Sequence, residues 1–306
     1  MASPSDDDGL ATFESARRRL FGVAYRMLGS ACEAEDIVQE VWFRWQSTDR
    51  TVVRDPPAFL ATTAARLALN AAQSARARHE TYVGQWLPEP VDTQPDPALG
   101  AERHEALGLA VLLLLEKLTP AERGAYVLHE ALGYGYERIA EILKTSEVNA
   151  RKLVSRARKH VVEGQRKPVS SAEHTRLLTA FVAAAQRGDV SELEAVFASD
   201  VISRSDGGGF VRAARIPIVG RAAVAKFVAT VTAEFWTGVT LDWVEVNGQA
   251  AVLARRGGVA GALVTICASE EGIDQILWFM RPSKLSGVTR NIHNVASQEA
   301  GLSGPR

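Results

Sequence analysis

The chain has 306 residues, 35 Lys/Arg against 36 Asp/Glu, a formal net charge of −1 and 46% hydrophobic residues, which fits a globular protein of two or three domains, each able to bury its own core. No apolar run approaches the roughly 20 residues that a membrane helix needs; the longest, Leu109 to Leu115, is broken by Glu116. The acidic start MASPSDDDGL is unlike a secretory leader, Cys32 and Cys267 lie far apart, and the six histidines show no metal-ligand spacing, so a reducing cytoplasm is expected, with no disulfide, metal site or cofactor.

Residues 1–9 read as a disordered tail. A helix from about Leu10 to Leu28 follows, with Phe13, Leu20, Val23, Ala24 and Met27 on its apolar face, ended by Gly29-Ser30. A second, from about Glu33 to Trp45, buries Ile37, Val38, Val41, Trp42 and Trp45. Its other side carries Asp36, Gln39, Glu40 and Phe43 at i, i+3, i+4 and i+7, which line up along one face. An acidic stripe ending in phenylalanine suits docking to a basic partner; the plainer alternative is a solvated face with one exposed aromatic. A polar loop from Thr48 to Pro57, able to hold an unstacked base, leads to an alanine-rich helix reaching about Arg78. On it Arg66, Asn70, Gln73 and Arg76 could face a nucleic acid.

Residues 80–105 differ in kind, with six acids against one base and prolines at 88, 90, 95 and 97. Proline keeps such a segment extended, as a linker between domains. Tyr82, Trp86 and Leu87 are too apolar for a passive spacer, so part of it either docks on a surface or is a partly buried anchor.

Ala106 to Lys117 reads as a helix, and Thr119-Pro120 caps another over Ala121 to Leu132. Tyr136 to Leu143, with Ile139, Ala140 and Leu143 on one face, is joined by Lys144-Thr145-Ser146 to a helix from Glu147 to Val162. In that last helix Ala150, Leu153, Val154, Ala157 and Val161 form an apolar stripe, while Arg151, Lys152, Ser155, Arg156 and Lys159 fan out opposite. Two helices on a tight turn, the second basic, form the helix-turn-helix layout for the DNA major groove; a helical hairpin with a solvated basic face is the alternative. Charge favours the former, because Lys144 to His160 holds six Lys/Arg against Glu147 alone.

After a polar connector, Gln165 to Ser171, the pattern changes. Two amphipathic helices, Ser171 to Gln186 and Asp189 to Ala198, precede strands at about Val201–Ser205, Ile216–Val219, Thr240–Val246, Ala250–Arg255, Leu263–Ala268 and Ile273–Met280, with a helix from Arg221 to Phe235. Asn247-Gly248 is a two-residue hairpin turn. The expectation is an α+β cone with a curled antiparallel sheet. Asp206-Gly207-Gly208-Gly209 is a flexible turn without the spacing of a phosphate loop.

In this order the parts resemble an extracytoplasmic-function (ECF) sigma factor, a promoter-recognition subunit of bacterial RNA polymerase. More narrowly, the chain resembles the J-type subgroup, which carries a C-terminal SnoaL-like (NTF2-like) domain. LFGVAYRMLGSACEAEDIVQEVWFRW is similar to the start of sigma region two, and Ala58 to Arg78 to the part that melts and reads the −10 element. LTPAERGAYVLHEALGYGYERIAEIL with VNARKLVSRARKHV is similar to region four, which reads the −35 element. Tyr82 to Pro90 matches the subgroup's linker signature, Asp206 to Gly209 its glycine motif and Arg281 to Leu285 its closing motif. Phe210 stands where the glycine motif usually has lysine, and Arg281 where the closing motif usually has asparagine.

The resemblance implies a multidomain fold: two all-α sigma domains, 10–79 and 106–165, a linker over 80–105 and an α+β cone over 172–285. It implies that Asp36, Gln39, Glu40 and Phe43 bind core polymerase, whose clamp and flap regions are the expected contacts. It puts Arg66, Asn70, Gln73 and Arg76 at the −10 element. Arg151, Lys152 and Ser155 fall on base-reading positions of the −35 element, and Arg156 and Arg158 on phosphate-contacting ones. Regulation built into the chain would run through Trp86, Leu87 and Pro88 against Asp206, Gly207, Gly208 and Gly209. Two other classes remain open. A cone of this type can host an enzyme or hold a small-molecule ligand, but no histidine lies between His174 and His293 to form the usual Asp/His pair, and no enzyme is expected. A ligand-sensing helix-turn-helix regulator acting without polymerase would leave the acidic stripe and the −10-like helix unexplained.

Overall fold

The computed structural model describes residues 4–80, 82–93 and 108–288. The chain divides into two compact units, Met1–Thr81 with Val111–Gln165, and Tyr82–Ala110 with Arg166–Arg306.

The first unit is all helical. Helices α1 (Pro4–Leu28), α2 (Ala31–Ser47) and α3 (Pro56–Glu80) pack together, with a 3-10 turn at Arg50–Val52 between the last two. The expected apolar face of α1 is buried, as are Ile37, Val38, Val41 and Trp45 of α2. Alanines 61, 64, 65 and 68 form the inner side of α3. With so little side chain between them, α1 and α3 make the most extensive contact of the helical unit. Two expectations change. The segment expected to be a tail is helical from Pro4, and Trp45 Nε1 donates to the Gly9 carbonyl at 2.8 Å inside the fold. Trp42 is only half-buried, its ring lying against Phe13 at 4.8 Å between centroids.

Helices α4 (Leu109–Leu115), α5 (Pro120–Glu130), α6 (Tyr136–Leu143) and α7 (Glu147–Gly164) follow. Thr119 and Glu122 close a reciprocal capping box on α5. Lys144 takes the left-handed conformation (φ 52°) that ends α6, and Ser146 caps α7 by accepting from the Asn149 N–H. Ile142 is buried where Leu143 was expected; Leu143 is half-buried. Arg123 joins the two helical groups from a buried position. It donates to the carbonyls of Leu115 at 2.8 Å and Met27 at 3.0 Å, and pairs with Glu116 at 2.6 Å.

The second unit begins with α8 (Ser171–Arg187) and α9 (Val190–Val196), then β1 (Phe197–Asp206), β2 (Ile218–Val219) and α10 (Arg221–Phe235). Strands β3 (Val239–Val246), β4 (Gln249–Arg256), β5 (Val259–Ser269) and β6 (Gly272–Phe279) complete it, and residues 282–288 are helical. The sheet order is β2-β1-β6-β5-β4-β3. It is mixed rather than wholly antiparallel, because the chain returns beside its first strand and β6 pairs with β1 in parallel. Asn247 and Gly248, both at positive φ, make the expected β3–β4 hairpin turn. Phe181, Phe197, Trp236 and Trp278 fill the space between α8, α10 and the sheet, and Trp278 Nε1 donates to Ser203 Oγ. Aromatic side chains therefore occupy the centre of the cone.

Candidate nucleic-acid interface and linker clamp

Helix α2 presents Asp36, Gln39 and Phe43 to solvent, Phe43 with 62% of its surface exposed, and Glu40 half-buried beside them. Glu40 accepts from Arg44 Nε at 2.8 Å, yet the stripe stays acidic and open. On α3, Arg66, Asn70 and Gln73 share the exposed side; the Arg76 side chain lies outside the described residues. Arg66 is already engaged, because its Nη2 pairs with Glu141 of α6 at 3.0 Å. Both side chains are about half exposed, so the pair is weak and exchangeable for another anion.

Helix α7 buries the five predicted apolar residues and exposes Arg151, Lys152, Ser155, Arg156 and Arg158. Acids temper several of these charges. Arg151 pairs with Glu147 at 3.2 Å and lies over the Tyr136 ring, Arg156 reaches Glu122 at 3.3 Å, and Arg158 Nε donates to Glu130 at 2.6 Å. Among the described residues Lys152 has no acidic partner. It stands with Ser155 on the side of α7 that faces away from the apolar stripe.

The third cluster surrounds Asp206, at the end of β1 and wholly buried. Tyr82 Oη donates to its Oδ1 at 2.5 Å, and the Leu87 N–H to its Oδ2 at 3.0 Å. Lys284 Nζ, from the closing helical segment, pairs with Oδ2 at 2.7 Å and also donates to the Leu87 carbonyl. One carboxylate thus receives a phenol, a backbone amide and an ammonium, which is how a buried charge becomes tolerable. Lys284 also lies 4.3 Å from the Trp86 ring centroid. Burial pushes the Lys284 ammonium below the ordinary lysine range, and the Asp206 charge opposes that. Burial, then the hydrogen bond to Asp206, pushes the Tyr82 phenol up to about 12.

The linker motif is therefore a docked strap. Leu87, Pro88 and Pro90 are buried, and Gln85 donates to the Ala214 carbonyl at 2.8 Å. Val91 and Asn247 bond reciprocally at 3.0 and 2.8 Å, and Thr93 bonds to Glu245 and to the Gly248 N–H. The glycine motif fits the strap. Gly208 has φ 56°, and a Cβ there would fall 2.7 Å from Tyr82 Oη. The two departures from the subgroup pattern meet in space, with the Arg281 guanidinium over the Phe210 ring at 5.5 Å and over the Tyr82 ring at 5.4 Å. A guanidinium from position 281 thus lies against the side chain at position 210. After α7 the chain is fastened again. Arg166 pairs with Asp200 at 2.6 Å, with Glu271 at 3.3 Å and with Asp274, and the Val169 N–H donates to the Ala268 carbonyl.

Sequence reasoning named Trp86 through Pro88 and Asp206 through Gly209, and took Tyr82 only as one of the linker's apolar residues; it gave no roles to Lys284, Arg281, Asn247 or Arg166. Tyr82, Lys284 and Arg281 lie inside the quoted motifs, so motif membership was their signal; Asn247 was read only as a turn. Beside the strap a cavity of about 330 Å³ is lined by Val83, Gly84 and residues 207–215.

The sigma-70 region 2 family matches residues 12–78, and the sigma-70 region 4 family residues 108–161. The chain is 36% identical over 296 residues to the ECF RNA polymerase sigma factor SigJ of Mycobacterium tuberculosis, covering 91% of this chain and 93% of that protein. It is 29% identical over 283 residues to the probable ECF RNA polymerase sigma factor SigI of the same species, covering 90% and 94%. The crystal structure of M. tuberculosis SigJ superposes with a TM-score of 0.69 at 31% identity, covering 91% of this chain and 98% of that one.

The chain belongs to the ECF RNA polymerase sigma factors. It is a polymerase-binding subunit that directs promoter-specific initiation, and its partners are core RNA polymerase and promoter DNA. In this sigma factor α1–α3 correspond to region 2 and α4–α7 to region 4. Its C-terminal helix-and-sheet domain has the cone expected from the J-type resemblance. Among the described residues no helix is long and apolar enough to cross a membrane.

The geometry at Asp206 predicts an alkaline signature. Because the folded Tyr82 pKa is raised, its contribution to docking is complete below the ordinary tyrosine value near 10 and is lost as pH rises toward about 12. In an ultraviolet phenolate titration, wild type and Tyr82→Phe should coincide up to about pH 11, whereas Asp206→Asn should add a tyrosine ionising closer to 10. A Tyr82 that ionises near 10 in the wild type would contradict the assignment.

Proposed function

We propose that this sigma factor uses a cytoplasmic, self-contained form of control, in which its C-terminal domain holds the linker between regions 2 and 4. The observation that carries this is the buried Asp206, bound simultaneously to Tyr82 and the Leu87 amide of the linker and to Lys284. Asp36, Gln39, Glu40 and Phe43 are the polymerase-docking stripe. Arg66, Asn70, Gln73 and Arg76 meet the −10 element, where a base is flipped at a cost of a few kcal/mol and recovered in a pocket that binds it. Arg151, Lys152 and Ser155 read the −35 element in the major groove, and Arg156 and Arg158 position α7 on phosphates.

The ion pairs on these residues support a poised arrangement rather than a blocked one. Arg66 must leave Glu141 to meet DNA, and Arg156 and Arg158 must share Glu122 and Glu130 with it. Surface pairs of this kind are weak and screened by salt, whereas a good base contact is worth about 1–3 kcal/mol. Linker docking is the stronger element, since breaking one side of a buried pair costs about 3–5 kcal/mol.

Two measurements check this reading. Lys152→Ala should reduce run-off transcription from a promoter with an intact −35 element by about fivefold or more, in line with 1–3 kcal/mol per base contact; unchanged output would remove Lys152 from the reading surface. A chain ending at Arg166 should differ from the full-length protein in run-off transcription with core polymerase on the protein's own upstream region. Equal output from the two forms would end the regulatory proposal.

A further inference from the structure

The C-terminal domain carries a charged surface of its own, beside the Asp206 cluster. From Gly207 to Lys226 the sequence has Arg212, Arg215, Arg221 and Lys226 and no Asp or Glu. All four side chains are exposed, and among the described residues none has an acidic partner. By contrast Arg151, Arg156, Arg158, Arg166, Arg176, Arg187 and Arg255 are each paired with an acid. The acid next to the stretch, Asp206, is buried and neutralised by Lys284, so it does not offset the charge outside.

Shape agrees with charge. Residues 207–217 form a projecting loop between β1 and β2, with Phe210 and Ile216 exposed at 68% and 74%. The cavity of about 330 Å³ opens at its base, with Arg212 and Arg215 on its wall beside the three glycines. Glycines bring the backbone close to whatever sits there, and the two guanidiniums supply planar donors suited to phosphate. Four unpaired cations without a counter-charge suit a polyanion, and the polyanion that this subunit must meet is promoter DNA. Exposed rings and aliphatic side chains among arginines are compatible with that role, because contacts to the sugar-phosphate backbone need no sequence-reading groups.

We propose that the loop from Gly207 to Arg221 is an additional DNA-backbone contact of this sigma factor, made by the C-terminal domain through Arg212 and Arg215. It adds affinity without sequence preference. Because Phe210 and Gly208 of the same loop touch Arg281 and Tyr82, DNA on the loop and the docked linker share one surface. The proposal does not depend on whether linker docking raises or lowers transcription.

The test is a salt titration of promoter-DNA binding by holoenzyme assembled from full-length protein and core polymerase, comparing wild type with Arg212→Gln/Arg215→Gln. Both residues are exposed, so the double variant should melt with the wild type, and a melting curve checks that. The plot of log affinity against log salt should become shallower by about 0.9 for each lost phosphate contact, to the same extent on a promoter duplex and on a scrambled duplex. Weaker binding at low salt should accompany it. An unchanged slope would overturn the proposal. A slope change confined to the promoter duplex would overturn it as well, because it would mean base reading. Weakened assembly with core polymerase at an unchanged DNA slope would assign the loop to a protein partner instead.

Discussion

A single buried carboxylate organises the C-terminal half of this sigma factor. Asp206 ends the first strand of the cone with no solvent exposure, where an unpaired charge would be very costly. Lys284 supplies the counter-charge, and Tyr82 and the Leu87 amide supply the remaining donors. Two of those donors come from a segment more than a hundred residues away in sequence. The need to satisfy Asp206 thus recruits the linker onto the domain. Once docked, the linker continues by strand-like bonding to the β3–β4 turn through Val91 and Thr93.

The helical unit depends on a different economy. Its helices approach closely because α3 is lined with alanine, and Arg123 joins regions 2 and 4 by hydrogen bonds to the Leu115 and Met27 carbonyls at helix ends. The residues proposed to meet DNA sit outside this core, and Arg66, Arg151, Arg156 and Arg158 among them are held in surface ion pairs. On that proposal stability and recognition are carried by different residues: buried pairs fix the scaffold, and surface pairs give way to a polyanion.

Much of this was legible in sequence, for physical reasons that can be named. The apolar stripes of α1, α2 and α7 follow from helical periodicity, and the five buried positions of α7 were read without error. The β3–β4 turn was legible because Asn-Gly favours that hairpin. What escaped was long-range. Nothing local announces that Glu141 will meet Arg66, or that Trp45 will donate to Gly9 and hold a segment expected to be a tail. The parallel pairing of β1 with β6 is a topological fact that no window of residues contains. The linker is the intermediate case. Trp86 and Leu87 were visibly too apolar for a spacer and were set against the Asp206 to Gly209 turn, but the bonds through Lys284 and Tyr82 that complete the anchor came only from the fold. Phe210 and Arg281, two departures from the subgroup pattern far apart in sequence, lie against one another in the fold.

The central claim is that the linker is held on the C-terminal domain by Asp206, and amide hydrogen exchange on the full-length protein tests it most directly. Leu87 donates to Asp206 and Thr93 to the Glu245 carbonyl, so both amides should exchange far more slowly than in an unstructured peptide, and Asp206→Asn should release Leu87 first. If Leu87 in the wild-type protein exchanges as fast as in a free peptide, the linker is not docked in solution and the account of regulation built on it is wrong.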